Sequence, residues 1–221
     1  MVDRVETDSY VTKRYYRGDK LHRDGGLPAV IWADESKEYY VNGERHRDGG
    51  LPAIELANGS KSYWVNGERH RNSGLPAIEY ANGDKEYWVN NKLHRDGDLP
   101  AVEWANGYKS YLVNGKRHRD GGLPAVEYPN GHIEYYVNNK LHRDGGLPAI
   151  EWADKDRKYY VNGIKVTEEQ AQFIHIKKMK RVKKVYWRWC DITYQLGKSA
   201  FKARMMRDLA SLENEIGYKL K

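Results

Sequence analysis

The chain has 221 residues, a net charge of +7 and an apolar fraction of 39%. A single cysteine, Cys190, excludes an internal disulfide framework, and no stretch approaches the roughly 20 apolar residues of a membrane-spanning helix. Eighteen Tyr and seven Trp against two Phe suit a thin, half-buried sheet better than a large closed core.

Residues 1–14 read as a lead-in, with a short strand at Tyr10-Val11-Thr12 and no apolar run of the kind that opens a secretory signal. From Tyr15 one line recurs at a fixed spacing. Its clearest copy runs from Tyr63 to Glu86, YWVNGERHRNSGLPAIEYANGDKE. His22, His46, His70, His94, His118 and His142 stand 24 residues apart, as do Pro28, Pro52, Pro76, Pro100, Pro124 and Pro148. A constant period in this range is the signature of a repeat array, whose terminal units are commonly degenerate. Arg17-Gly18-Asp19 in the first copy is such a departure.

Each repeat predicts two strands. Lys61-Ser62-Tyr63-Trp64-Val65 has the residue types of a pleated surface, and Asn66-Gly67 tolerates the positive φ of a tight turn. Asn72-Ser73-Gly74-Leu75-Pro76 is a second break. Ala77-Ile78-Glu79-Tyr80-Ala81 is the second strand, and Asn82-Gly83-Asp84 turns the chain onward. Alternation places Val30, Ile54, Ile78, Val102, Val126 and Ile150 on one face with Trp32, Leu56, Tyr80, Trp104, Tyr128 and Trp152. It places each Tyr of the Tyr39, Tyr63, Tyr87 row on one face with the Val two residues on, and turns the Glu55, Glu79, Glu103 row the other way, as a solvated or Lys-paired row. With two strands per repeat at about 4.8 Å, six repeats extend roughly 58 Å.

The pattern Tyr-x-x-Asn-Gly-x-x-His-x-x-Gly-x-Pro-Ala, over residues 15–163, resembles a variant of the MORN repeat, whose units are β-hairpins stacked into an extended sheet. The Asn-Gly turn, the preceding aromatic and the following His carry the likeness. Arg47 and its equivalents replace the Gly that usually follows the His, and Leu-Pro-Ala replaces a Gly-centred stretch. The His-Arg-Asp-Gly-Gly-Leu-Pro-Ala units, with the basic Trp187-Arg188-Trp189 segment, are similar to MORN-like repeat proteins of large DNA viruses of the marseillevirus type. The resemblance implies a sheet architecture and a binding or structural role.

After the array the composition changes. Residues 167–221 hold 13 Lys and Arg against 6 Asp and Glu, whereas residues 1–166 hold 25 of each. The basic excess therefore lies wholly in this segment, which predicts an acidic or anionic partner. Thr167-Glu168-Glu169-Gln170 fits a capping box. Ile176, Met179, Val182, Val185, Tyr186 and Trp189 recur at helical spacing, with Lys177, Lys178, Lys180, Arg181, Lys183, Lys184 and Arg188 filling the rest of the helix. A second helix is predicted from about Ser199 to Ile216, with Phe201, Met205, Leu209, Leu212 and Ile216 as its stripe.

Three features of the array invite a chemical reading. The six His could bind metal, but ligands must converge at about 2 Å, whereas equivalent residues of successive repeats lie about 9–10 Å apart. They predict instead a structural turn ladder, each His bonding a neighbouring backbone group or packing on a Tyr, with the adjacent Arg and Asp tying one turn to the next. A catalytic carboxylate pair needs two environments that push the pKa values apart, which a periodic Glu row does not offer. The Asp-Gly-Gly turns lack the strand–loop–helix context of a phosphate loop.

The sequence thus predicts a mainly β protein. An N-terminal lead-in (1–14) precedes an elongated antiparallel β-hairpin array of six 24-residue repeats (15–166) and a basic C-terminal helical segment (167–221). The expected function is a non-enzymatic scaffold for protein partners, with no cofactor or small-molecule substrate. Given the viral resemblance, it is expected as a virion or minor capsid-associated component, in the virion or host cytoplasm. The second reading is an adaptor that binds anionic membrane or nucleic acid through the basic helix, whose apolar stripe could also cap the last repeat.

Overall fold

The computed structural model describes residues 4–10 and 12–193, with side chains through residue 184. The predicted second helix, Ser199–Ile216, lies outside the described residues, as do the side chains of Arg188 and Cys190. The chain forms two compact units. One comprises residues 1–143 and 148–165, and the other the loop Asp144–Leu147 with residues from Val166 onward.

The first unit is an antiparallel array. Among the described residues one sheet has 16 strands; Lys20–Leu21 pairs with Lys13–Arg17 off the main path, and the order of the others follows the chain from Arg4–Thr7 and Lys13–Arg17 to Arg157–Val161 and Ile164–Val166. Neighbours are joined by local turns, because each repeat contributes a hairpin such as Ile54–Glu55 with Lys61–Ser62, in the register Ile54↔Ser62 and Glu55↔Lys61. The same Lys61–Ser62 strand then pairs on its other side with Ile78–Glu79 of the next repeat. Every internal unit therefore sits between two near-copies of itself.

The expected two strands per repeat resolve into four short ones. Lys61–Ser62 and Trp64–Val65 are separate strands in separate sheets, parted at Tyr63. The break has a definite cause. The Tyr63 N–H donates to the Ala77 carbonyl at 2.8 Å, tying it to the main sheet, while its carbonyl accepts from the His70 N–H at 3.2 Å. Trp64–Val65 turns away to pair with Glu68–Arg69 in a second small hairpin. Asn66 and Gly67 form its turn at φ 48° and 75°, values that suit these two residue types. Four further small hairpins repeat this pairing.

The expected likeness of the Tyr and Val rows is also corrected. Tyr63 is 6% exposed and Val65 37%, because an arginine lies over the tyrosine ring and leaves the valine open. On the opposite side of the strands Ala101, Val102, Tyr108, Leu112 and Val126 form a buried cluster, against which Tyr128 packs. Here the predicted sharing of a face by the Val row and the aromatic row holds. Burial of the alanine at each Pro-Ala, 0% exposed at Ala29, Ala53, Ala77, Ala101, Ala125 and Ala149, explains why only a methyl group is admitted there.

In the second unit, helix α1 spans Glu168–Thr193. The capping box forms as predicted: the Thr167 hydroxyl accepts from the Gln170 N–H at 3.2 Å, and the Gln170 side chain accepts from the Thr167 N–H at 2.9 Å. Glu168 and Glu169 lie in the first turn, where they complement the helix dipole.

Candidate interaction surface

The polar residues of the array form three ladders. The first uses the histidines. The Nδ1 of His22, His46, His94, His118 and His142 each accepts from the backbone N–H of an Asn in the following repeat (Asn42, Asn66, Asn114, Asn138 and Asn162), at 3.0–3.3 Å. With Nδ1 an acceptor, the ring proton sits on Nε2. From there it is donated to the carboxylate two residues on, as from His46 to Asp48 at 2.9 Å. The predicted turn ladder is thus present, but the link between repeats is made by the His, while the Asp holds the ring. At His70 the acid is replaced, and Nε2 meets the Asn72 side-chain oxygen at 2.8 Å. Its buried Nδ1 has no hydrogen-bond partner. Both ring nitrogens of His22, His46, His94 and His118 are engaged, and among the described residues no three His, Cys, Asp or Glu converge as metal ligands.

The second ladder corrects the reading of the Glu row. Arg71 lies 3.5 Å from the centroid of the Tyr63 ring and donates to Glu79 Oε1 at 2.9 Å, while the Tyr63 hydroxyl donates to Glu79 Oε2 at 3.1 Å. The same Arg–Tyr–Glu triangle is built by Arg47, Tyr39 and Glu55, and by Arg95, Tyr87 and Glu103. Arg119 stacks on Tyr111 and bonds Glu127, and Arg143 stacks on Tyr135 and bonds Glu151. The glutamates are therefore bonded by Arg and Tyr, while their side chains stay about a third exposed and face the Lys row across the strands, as Glu79 faces Lys61 and Lys85. The arginine after each His works within its own repeat, against the expectation that it ties turns together; Arg119, which also pairs with Asp98 of the preceding repeat at 2.9 Å, does both.

The third ladder runs along the outer turns. The Ser36 hydroxyl accepts from the Ala57 N–H, Ser60 from Ala81, and the Asp84 carboxylate from Ala105, at 2.7–3.0 Å. In later repeats aromatic stacking replaces it: Trp104, Tyr108, Tyr128, His132 and Trp152 follow one another with centroids 4.3–5.2 Å apart.

Burial leaves a pH signature. Desolvation, reinforced by the carboxylates of Glu38 and Glu134, pushes Tyr40 and Tyr136 up to about 12. Burial likewise raises Tyr39, Tyr63, Tyr87, Tyr111 and Tyr135. A phenol whose folded pKa exceeds its unfolded value of about 10 stabilises fully below that pH, and the contribution is lost as pH rises toward the folded value. Urea-unfolding midpoints are expected to hold up to about pH 10 and to fall between about 10 and 12. A flat midpoint across that window would contradict the burial of these phenols.

What the ladders leave open is apolar. Leu27, Leu51, Leu75, Leu99 and Leu123 are each about half exposed, and Trp32, Leu56, Tyr80 and Trp104 are exposed in a second row. A cavity of about 480 Å³ lies between successive loops, lined by Leu51, Leu75, Tyr63, Trp64, Arg47 and Arg71 among others. On α1, Lys177, Lys180, Arg181, Lys183 and Lys184 are exposed, with Lys177 over the Phe173 ring at 4.4 Å. Lys178 pairs instead with Asp144 at 2.6 Å. Ile176 and Met179 of the predicted apolar stripe are about half exposed. No helix among the described residues is long and apolar enough to cross a membrane. No family model and no curated protein matches the chain.

Proposed function

We propose that this protein is a non-enzymatic scaffold that binds other proteins through the array. One observation carries the reading. The His side chains capable of chemistry are spent on joining repeats and the Arg, Tyr and Glu side chains on holding each repeat in shape, while leucine and aromatic rows stay exposed at a fixed pitch. Identical apolar side chains repeated along a rigid sheet offer area and register to a partner, and aromatic residues are favoured in such contacts. Its virion or capsid-associated form rests on the resemblance of the His-Arg-Asp-Gly-Gly-Leu-Pro-Ala units to those of MORN-like viral proteins. The second reading, an adaptor for anionic membrane or nucleic acid, is favoured by the exposed Lys177, Lys180, Lys183 and Lys184 of α1. Cross-linking mass spectrometry of the full chain in its native particle or lysate tests both. The scaffold predicts intermolecular links from Lys37, Lys61, Lys85 and Lys109 along the array. Links confined to α1 would overturn it in favour of the adaptor.

A further inference from the structure

The second unit contains a worked example of how one Asp-Gly-Gly-Leu loop is covered. In Asp144–Leu147 the backbone at Gly146 approaches α1 so closely that a Cβ there would lie 3.0 Å from the Gln172 Cα and 3.4 Å from the Ala171 carbonyl oxygen. Ala171 is buried at this contact. Two helical turns on, about 10 Å along the axis, Lys178 reaches the Asp144 carboxylate. The grip has two parts: a glycine that admits helix backbone, and an acid that meets a lysine seven residues beyond a small residue.

The same loop occurs in the other repeats, and its details sort them. In Asn72–Leu75 the acid is missing. In Asp96–Leu99 the glycine position holds Asp98 at φ 56°, whose side chain occupies the approach and pairs with Arg119. In Asp24–Leu27 the carboxylate is already paired with Arg17, beyond the His bond that Asp48 and Asp120 also make. Asp48–Leu51 and Asp120–Leu123 keep both parts. The Asp48 and Asp120 side chains are 95% and 96% exposed, and a Cβ at Gly50 or Gly122 would meet nothing within 4 Å.

We propose that Asp48–Leu51 and Asp120–Leu123 are docking sites for a basic helix of a partner protein. That helix places a small residue against Gly50 or Gly122 and a lysine about two turns on against Asp48 or Asp120, as α1 does at Asp144–Leu147. Charge complementarity selects the occupant, because each loop offers an exposed carboxylate to a cationic helix, as Asp144 does to Lys178. The inference rests on the scaffold reading and specifies the partner's chemistry.

The fold itself supplies the variants that remove each part. Asp48→Asn with Asp120→Asn keeps the bond to the His ring, as Asn72 does beside His70. Gly50→Asp with Gly122→Asp places at both sites the residue that position 98 carries at a similar φ. The test is a titration of the full chain with a synthetic peptide of residues 168–184, followed by chemical-shift mapping on the array. Two peptides are expected to bind per chain, at the two named loops. Affinity is expected to fall about tenfold in the double Asn variant, corresponding to the loss of one ion pair per site. The same loss is expected with a Lys178→Glu peptide, and the double Gly→Asp variant is expected to block docking. The proposal is overturned if the peptide does not bind, if shifts map elsewhere, or if affinity is indifferent to all three changes. Array-borne cross-links to partners that persist alongside a failed titration would leave the scaffold standing and remove only this mode of docking.

Discussion

Tyr87→Ala is expected to cost about 3–5 kcal/mol in urea unfolding, the range for truncating a buried aromatic. Tyr87 is 6% exposed and stands in the middle of the array. Arg95 lies 3.6 Å from its ring centroid, and its hydroxyl donates to Glu103 Oε2 at 3.0 Å. Removing the ring opens a cavity and takes away the surface on which the guanidinium rests. It also unsettles Arg95, whose Nε is already buried without a hydrogen-bond partner. Tyr87→Phe keeps the ring and loses one hydrogen bond, so it is expected to cost about 1 kcal/mol. Because each repeat is stabilised chiefly by its neighbours, a central lesion is also expected to split unfolding into two transitions, one for each flank. A cost below about 1 kcal/mol for Tyr87→Ala would contradict the stacked triangle, set against the typical effect of a surface change.

Much of this architecture was legible in the sequence, for reasons that differ from element to element. The period, the Asn66-Gly67 turn and the Thr167 capping box depend on residues close together in the chain, whose chemistry acts locally. The His ladder could be reasoned from spacing alone, since equivalent residues one repeat apart cannot converge on an ion. The break at Tyr63 could not be read in this way. It is imposed by a bond to Ala77, 14 residues on, and by pairing with Glu68–Arg69, two charged residues with no strand preference of their own. The Arg–Tyr–Glu triangle was hidden for a related reason. Its members lie 8 and 16 residues apart and meet only when neighbouring strands are in register. A signal was present, because the three residue types recur at constant offsets in every complete repeat. The grip of α1 on Asp144–Leu147 joins residues 34 apart, and nothing in either segment announces the other.

These contacts make the array a succession of near-equivalent interfaces, built on the same strand register from repeat to repeat. Glu86 pairs with Val102 as Ser110 pairs with Val126, so a chain in which Glu86 is joined directly to Tyr111 can set Glu86 opposite Val126 in unchanged register. Asn114 would then stand where Asn90 stands relative to His70. Removing residues 87–98 instead joins Glu86 to Leu99. It deletes the hairpin Trp88–Val89 with Lys92–Leu93, and with it Tyr87, whose N–H bonds the Ala101 carbonyl at 2.8 Å. Only Leu99, Pro100 and Ala101 would remain to join the antiparallel neighbours Glu86 and Val102, so the buried Ala101, whose N–H bonds the Ser110 carbonyl at 2.9 Å, would be drawn out of its place into the turn.

Thermal unfolding followed by circular dichroism, on the intact chain and on these two deletions, is the most direct measurement. Deletion of residues 87–110 is expected to retain a cooperative transition and the β signal per residue, with a midpoint lowered by no more than about 4–8 °C, the shift that about 1 kcal/mol produces in a small domain. Deletion of residues 87–98 is expected to abolish the cooperative transition. Loss of folding on removing the full repeat, or a half-repeat deletion as stable as the intact chain, would contradict an array of interchangeable units.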